Sequence, residues 1–179
     1  ICTDKTGTLT QNRMQVHDSF FPALTGKDNH DNDTFRTIAE GMAVNSTAQL
    51  DLTDPAYPKA LGNPTEGALL LRLRELGTDY RQLRDACETV DELPFSTERK
   101  YMATVVKRHD GRRMLYIKGA PEIVMGLCET LPERTTRKDF EKKLAEYQAQ
   151  AMRTLGFACK RLADGEDPIQ DLSLIHISE

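Results

Sequence analysis

Two runs rich in β-branched and aromatic residues, Tyr101–Arg108 and Arg112–Lys118, flank the dipeptide Asp110-Gly111. No other feature of this chain restricts its fold as strongly. Such runs favour extended backbone, and Asp-Gly suits a two-residue turn whose central positions both take positive φ. The combination predicts a β-hairpin, and the strands of a hairpin are antiparallel. Further strands are expected over residues 13–21, Val90–Phe95 and Gly156–Leu162. Strands that come in hairpins, with helical patterns grouped between them, predict an α+β fold: a mainly antiparallel sheet flanked by helices.

The helical patterns carry their own start and stop signals. Asn63-Pro64-Thr65-Glu66 places an N-cap, a proline at the first helical position and an acid where a capping-box glutamate belongs. Leu69, Leu73 and Leu76 then recur on one face, and Gly77 can end the helix. Thr34 is positioned to cap a helix whose apolar face holds Ile38, Ala39, Met42 and Ala43. Shorter helices are expected over Tyr80–Cys87 and Pro121–Cys128. A charged amphipathic helix over Arg137–Thr154 carries Phe140, Leu144, Tyr147 and Ala151. Turn-rich stretches at residues 22–33 and Asp51–Gly62 read as surface loops.

The 179 residues are 39% apolar, enough for one compact domain with a core. A net charge of −4 leaves no overall basic footprint, so no nucleic-acid partner is expected. The uninterrupted apolar run Ala68–Leu71 falls far short of the ~20 residues that a spanning helix needs. Cys2, Cys87, Cys128 and Cys159 are scattered and form no CxxC pair, so they read as reduced thiols. The four histidines show no ligand spacing. Thr25-Gly26-Lys27 fails as a phosphate loop, because position 21 is Phe where that motif needs Gly.

Residues 1–12 are rich in Thr and Gly and read as a loop. Within them, Asp4-Lys5-Thr6-Gly7-Thr8-Leu9-Thr10 places a carboxylate beside a cation, hydroxyls and a glycine. That set suits nucleophilic attack on phosphorus, with Lys5 and loop N–H groups offsetting the charge of the transferred phosphoryl. Composition alone favours the plainer reading, a polar turn after a strand. The full string Ile1-Cys2-Thr3-Asp4-Lys5-Thr6-Gly7-Thr8-Leu9-Thr10 resembles the phosphorylation signature of the P-type cation-transporting ATPases. By that resemblance Asp4 becomes the aspartyl-phosphate, and Asp4 and Thr6 contact Mg²⁺. The same resemblance makes residues 1–12 a stub of a haloacid-dehalogenase-like phosphorylation domain. Soluble phosphatases of that superfamily usually carry a second Asp where this chain has Thr6. The resemblance therefore implies a phosphoenzyme that persists, as in a pump.

Four more segments resemble the same family, in its order. Gly62-Asn63-Pro64-Thr65-Glu66-Gly67-Ala68-Leu69-Leu70 implies that Glu66 lies near the adenine amino group. Pro94-Phe95-Ser96-Thr97-Glu98-Arg99-Lys100 implies that Phe95 stacks on adenine and Lys100 lies near the nucleotide. Lys118-Gly119-Ala120-Pro121-Glu122 implies Lys118 in the adenine pocket, with Gly119 allowing close backbone approach. Arg153-Thr154-Leu155-Gly156-Phe157-Ala158 implies that Arg153 reaches the phosphates. Each position also has a plainer reading: Glu66 as a helix cap, Phe95 as core, Lys100 as a solvated charge, Lys118-Gly119 as a strand-to-helix turn, Arg153 as a partner of a helix dipole.

The resemblance runs from Ile1 to about Leu162 and is greatest to calcium pumps of the plasma-membrane type, with Val44-Asn45-Ser46-Thr47-Ala48 adding to it. It implies a stub at 1–12 and a nucleotide-binding domain at 13–163, with ATP and Mg²⁺ as ligands. The partners implied are the membrane helices and actuator domain of a parent pump set in the cell membrane, this part facing the cytoplasm. Alone, the chain is expected to bind ATP without turnover. The chain opens inside a motif, and its tail at 171–179 resembles translated adapter sequence, so both ends are expected to be cut. The alternatives are a soluble haloacid-dehalogenase-like phosphatase and a non-catalytic nucleotide-binding or interaction module.

Overall fold

The computed structural model describes residues 14–22, 24, 33–133, 135–163 and 165–169. Two antiparallel sheets organise them. A short hairpin pairs β1 (Gln49–Asp51) with β2 (Lys59–Leu61). The main sheet has four strands in the order β3 (Cys87–Leu93), β4 (Tyr101–Arg108), β5 (Arg113–Gly119) and β6 (Gly156–Leu162), every neighbouring pair antiparallel. Around them lie α1 (Asp33–Val44), α2 (Pro64–Glu75), α3 (Tyr80–Asp85), α4 (Pro121–Leu127) and α5 (Arg137–Ala149). The expected α+β class, with a mainly antiparallel sheet flanked by helices, is the one observed.

Alternation along the central strands sends side chains to two different cores. Tyr101, Ala103, Val105, Leu115 and Ile117 pack with Val124 of α4, Leu162 of β6 and Ile169. Val106, Met114 and Tyr116 face the other way, with Val44 of α1 against them. A helical core of Ala39, Met42, Ala43, Leu69, Leu70, Leu73 and Tyr80 joins α1, α2 and α3 to Leu50 of β1.

The caps of α2 follow from its sequence. The Asn63 side chain accepts the N–H of Thr65 at 2.9 Å and of Glu66 at 3.4 Å. At the far end the N–H of Thr78 reaches the Leu73 carbonyl, and that of Gly77 the Arg74 carbonyl, each at 2.9 Å. This double closure is a Schellman motif. Thr136 and Asp139 form a reciprocal capping box at the start of α5.

Several expectations are corrected. Asp110-Gly111 does not form a two-residue turn with two positive φ angles; among these residues only Gly111 has one, +84°. Arg108 N–H donates to the Arg112 carbonyl and Gly111 N–H to the Arg108 carbonyl, both at 2.9 Å, so the loop is one residue longer. Residues 14–21 are not a strand. They are held by side chains instead: Phe20 meets Phe140 edge-on at 5.4 Å, Phe21 meets Phe157 at 6.2 Å, and Asp18 accepts the Tyr147 hydroxyl at 2.8 Å. The stretch expected as the loop Asp51–Gly62 contains β2 and the end of β1. These strands have three residues each, too few for a period-2 pattern to register. The helix expected to reach Thr154 stops at Ala149, where Ala151 takes a φ of +55° and Met152 N–H folds back onto the Tyr147 carbonyl. The helix expected to end at Cys87 stops at Asp85, and Cys87 opens β3, which begins before the expected Val90 and ends before Phe95. No described helix is long and apolar enough to cross a membrane.

Candidate functional site

In this sheet the end of β3, the start of β4, the end of β5 and the start of β6 lie together, because the strands alternate in direction. Four chain segments meet there. Phe95 follows β3 and Lys100 precedes β4. Lys118 and Gly119 close β5, paired with Met102 and Tyr101 on one side and with Phe157 and Gly156 on the other. Arg153 stands just before β6. One end of one sheet therefore collects Phe95, Lys100, Lys118, Gly119 and Arg153. Asp4, Lys5 and Thr6, the expected catalytic and Mg²⁺ residues, lie outside the described residues.

Gly119 is required by packing. A Cβ there would lie 2.6 Å from Tyr101 Cα and closer still to the Lys100 carbonyl oxygen. That carbonyl also accepts the Ala120 N–H at 2.9 Å, which pins the loop before β4 to the start of α4. Lys100 meets this geometry with a left-handed φ of 58°. The close approach that Gly119 permits here is between two strands of the chain itself.

Glu66 and Lys118 form a buried ion pair, Oε1 to Nζ at 2.9 Å, with side-chain exposures of 8% and 5%. The Lys118 ammonium also donates to the Asn45 carbonyl at 2.6 Å. The second Glu66 oxygen accepts four donors from the segment after α1. These are Thr47 N–H at 2.9 Å, Thr47 Oγ1 at 3.0 Å, Ala48 N–H at 3.2 Å and Ser46 Oγ at 3.3 Å. The expected capping-box role of Glu66 is thus replaced. Its carboxylate turns away from the helix N-terminus, because a lysine and a loop offer stronger, charge-assisted bonds.

Burial opposes the charge of Glu66, but Lys118 and Thr47 outweigh it and hold the carboxyl below its ordinary value. Burial pushes the Lys118 ammonium down, against the pull of Glu66. A depressed carboxyl contributes stability above its unfolded value, about 4.3, and that contribution fades as pH falls through the folded value. Glu66→Gln is therefore expected to cost most stability near neutrality, with the gap to the wild type narrowing as the pH falls below about 4. Urea unfolding at stepped pH measures it, and a gap independent of pH would refute the assignment.

Phe95 is 58% exposed, so its ring is not core. Lys100 and Arg153 are exposed too, and Arg153 Nη1 donates to Thr65 Oγ1 at 3.1 Å, which sets the guanidinium beside the N-terminus of α2. Within the 94–100 loop, Arg99 bonds the Pro94 carbonyl at 3.0 Å, while its buried Nε has no partner. A cavity of about 1120 Å³ lies between residues 14–22, α1, α2, α5 and β6. Of the expected nucleotide residues it takes in Arg153 but not Glu66, Phe95 or Lys118.

Sequence reasoning did not single out Arg84, or Asn45 as a site residue. Asn45 is buried and bonds the Tyr116 carbonyl at 3.3 Å and Thr104 Oγ1 at 3.0 Å. It also missed Glu40 on α1, which is buried and bonded to Arg108 and Tyr116. The available signal was a polar side chain on or just after a helix whose neighbours Ala39, Met42 and Ala43 are core.

Comparison with known proteins adds relatives to this geometry. The family described as "P-type ATPase, cytoplasmic domain N" matches residues 34–174. Calcium-transporting ATPase PAT1 of Dictyostelium discoideum is 36% identical over 93% of this chain and 16% of its own length. Calcium-transporting ATPase 1 of Lactococcus lactis is 33% identical over 99% of the chain and 21% of its own. Plasma membrane calcium-transporting ATPase 4 of Bos taurus is 32% identical over 94% and 16%. The chain thus spans about a fifth or less of the length of these relatives.

Proposed function

Because the chain belongs to the P-type ATPase family through its cytoplasmic domain N, we propose that it is the ATP-binding and phosphoryl-accepting portion of a calcium-transporting pump. The observation that carries this reading is the gathering of an exposed aromatic ring, two exposed cations and a buried Glu–Lys pair at one end of the main sheet. Those groups fit a nucleotide: a flat face for the base and cations for the phosphates. Phe95 stacks on adenine. Glu66 and Lys118 form the polar floor beside it, where Gly119 lets β4 and β5 close tightly. Lys100 and Arg153 reach the phosphates.

In the parent pump, ATP held here meets Asp4 when the nucleotide-binding domain swings toward the phosphorylation loop. The Asp4 carboxylate attacks the γ-phosphorus, ADP leaves, and the aspartyl-phosphate drives ion movement. Mg²⁺, held by Asp4 and Thr6, would offset the charge of the transferred phosphoryl, and Lys5 adds to that. The other partners are the pump's membrane helices and actuator domain, with this portion on the cytoplasmic side of the cell membrane. Transfer and hydrolysis draw on parts of the relatives beyond the span matched here, so the chain alone binds ATP without turnover.

Titrating ATP while following the amide signals of Phe95, Lys118 and Gly119 tests the reading. Saturable shifts and a rise in melting temperature are expected. Phe95→Ala should weaken binding by about 1 kcal/mol, roughly fivefold. Unmoved signals and an unchanged melting temperature would point instead to a non-catalytic module.

A further inference from the structure

The segment 45–48 joins α1 to β1 and is gripped from two sides. On its inner side the amides of Thr47 and Ala48 point to Glu66, and the Asn45 carbonyl points to Lys118. On its outer side stands Arg84 of α3. Its Nε donates to the Ala43 carbonyl at 2.8 Å, and Nη2 donates to the Ser46 and Ala48 carbonyls, both at 2.9 Å. The guanidinium lies 4.9 Å from the centre of the Tyr80 ring, and the Tyr80 hydroxyl accepts the Leu50 N–H at 3.1 Å, in β1 just beyond the segment. The Ser46–Thr47 peptide unit is thus polarised between a cation on one side and a carboxylate on the other.

We propose that Arg84 is a positioning residue for the nucleotide site, holding residues 45–48 in the shape that seats Glu66 against Lys118. The proposal rests on the nucleotide reading above. Arg84 acts through the backbone and needs no contact with the ligand. The planar fork suits this task, because its Nε and Nη2 donors hold three carbonyls at fixed angles, whereas a lysine would bring one compact ammonium on a flexible stem. Without the fork, the Ser46 carbonyl rotates toward solvent and its peptide unit carries the Thr47 amide away from Glu66. The charged groups facing Glu66 are Lys118 from β5 and Arg84 from α3, so loss of the Thr47 amide shows directly in the Glu66 titration.

Wild type, Arg84→Lys and Arg84→Met are compared by ATP calorimetry and by carbon-detected titration of the Glu66 carboxyl, in variants whose amide spectra remain dispersed. Arg84→Met should weaken ATP roughly five- to tenfold, at the low end of coupling between linked sites, and move the Glu66 midpoint upward. Arg84→Lys should fall between. A merely structural role would lower the melting temperature and leave the Glu66 midpoint in place, and that result overturns the proposal. Should neither variant fold, the wild-type chain decides: ATP must shift the Arg84 Nε signal and slow exchange of the Thr47 and Ala48 amides, and an unmoved pattern overturns it. Absence of ATP binding by the wild type would overturn the nucleotide reading instead, leaving the Glu66 midpoint to decide the clamp.

Discussion

Lys118→Met is expected to lower the unfolding free energy by about 3 kcal/mol, the lower end of the range for breaking a buried ion pair. The lower end applies because Glu66 keeps its four donors from residues 46–48. What remains uncompensated is one carboxylate oxygen and the Asn45 carbonyl, both losing the same ammonium. The double variant Glu66→Gln/Lys118→Met should be less damaged than the sum of the single changes, since a neutral amide can still accept from the loop without burying a charge. Urea unfolding of the four proteins gives the coupling directly, and additive losses would mean that the pair is not the unit described. Lys118→Met is also expected to weaken ATP, because Lys118 is the penultimate residue of β5, at the end of the sheet where Phe95 and Arg153 gather.

Arg108→Met should cost a similar amount, again about 3 kcal/mol, with a different signature. Arg108 lies at the opposite end of β4, where its Nε meets Glu40 Oε1 at 2.8 Å and its Nη2 meets the Tyr116 hydroxyl at 3.1 Å. Tyr116 in turn donates to Glu40 at 2.6 Å. Burial, reinforced by that bond, pushes the Tyr116 phenol far above its ordinary value, so it stays a donor. Removing the guanidinium leaves a buried carboxylate facing one neutral hydroxyl, and nothing nearby replaces the lost charge. ATP affinity of the folded variant should stay within twofold of wild type, because β4 separates this cluster from the nucleotide end. Stability lost together with affinity would show that the two ends of the sheet are coupled.

Most of the architecture was legible without coordinates because it is written in short-range patterns. The central hairpin, the Asn63 cap, the start of α4 at Pro121 and the span of β6 each depend on residues within a few positions of one another. Failures came where a local pattern had a distant competitor or was too short to register. Residues 14–21 look extended, yet aromatic contacts with α5 and β6 anchor them rather than a strand ladder. The period of α5 continues past Ala149, but a left-handed Ala151 turns the chain toward β6. The β1–β2 hairpin is hidden because strands of three residues carry almost no periodic signal.

The site divides in the same way. The residues predicted for the nucleotide were all visible as motifs, and antiparallel strand order alone puts Phe95, Lys100, Lys118, Gly119 and Arg153 at one end. The motifs and the antiparallel β4–β5 hairpin the amino-acid sequence determined by itself, whereas the pairing of β6 with β5 across α4 and α5 is tertiary. Only the tertiary structure decided that Glu66 spends its carboxylate on Lys118, 52 positions away, and on the loop after α1 rather than on its own helix. The same holds for Arg84, which reaches across 41 positions to grip the end of α1. A charge chooses among its possible partners by burial and by which bonds close once the core has packed, and neither exists until the chain has folded.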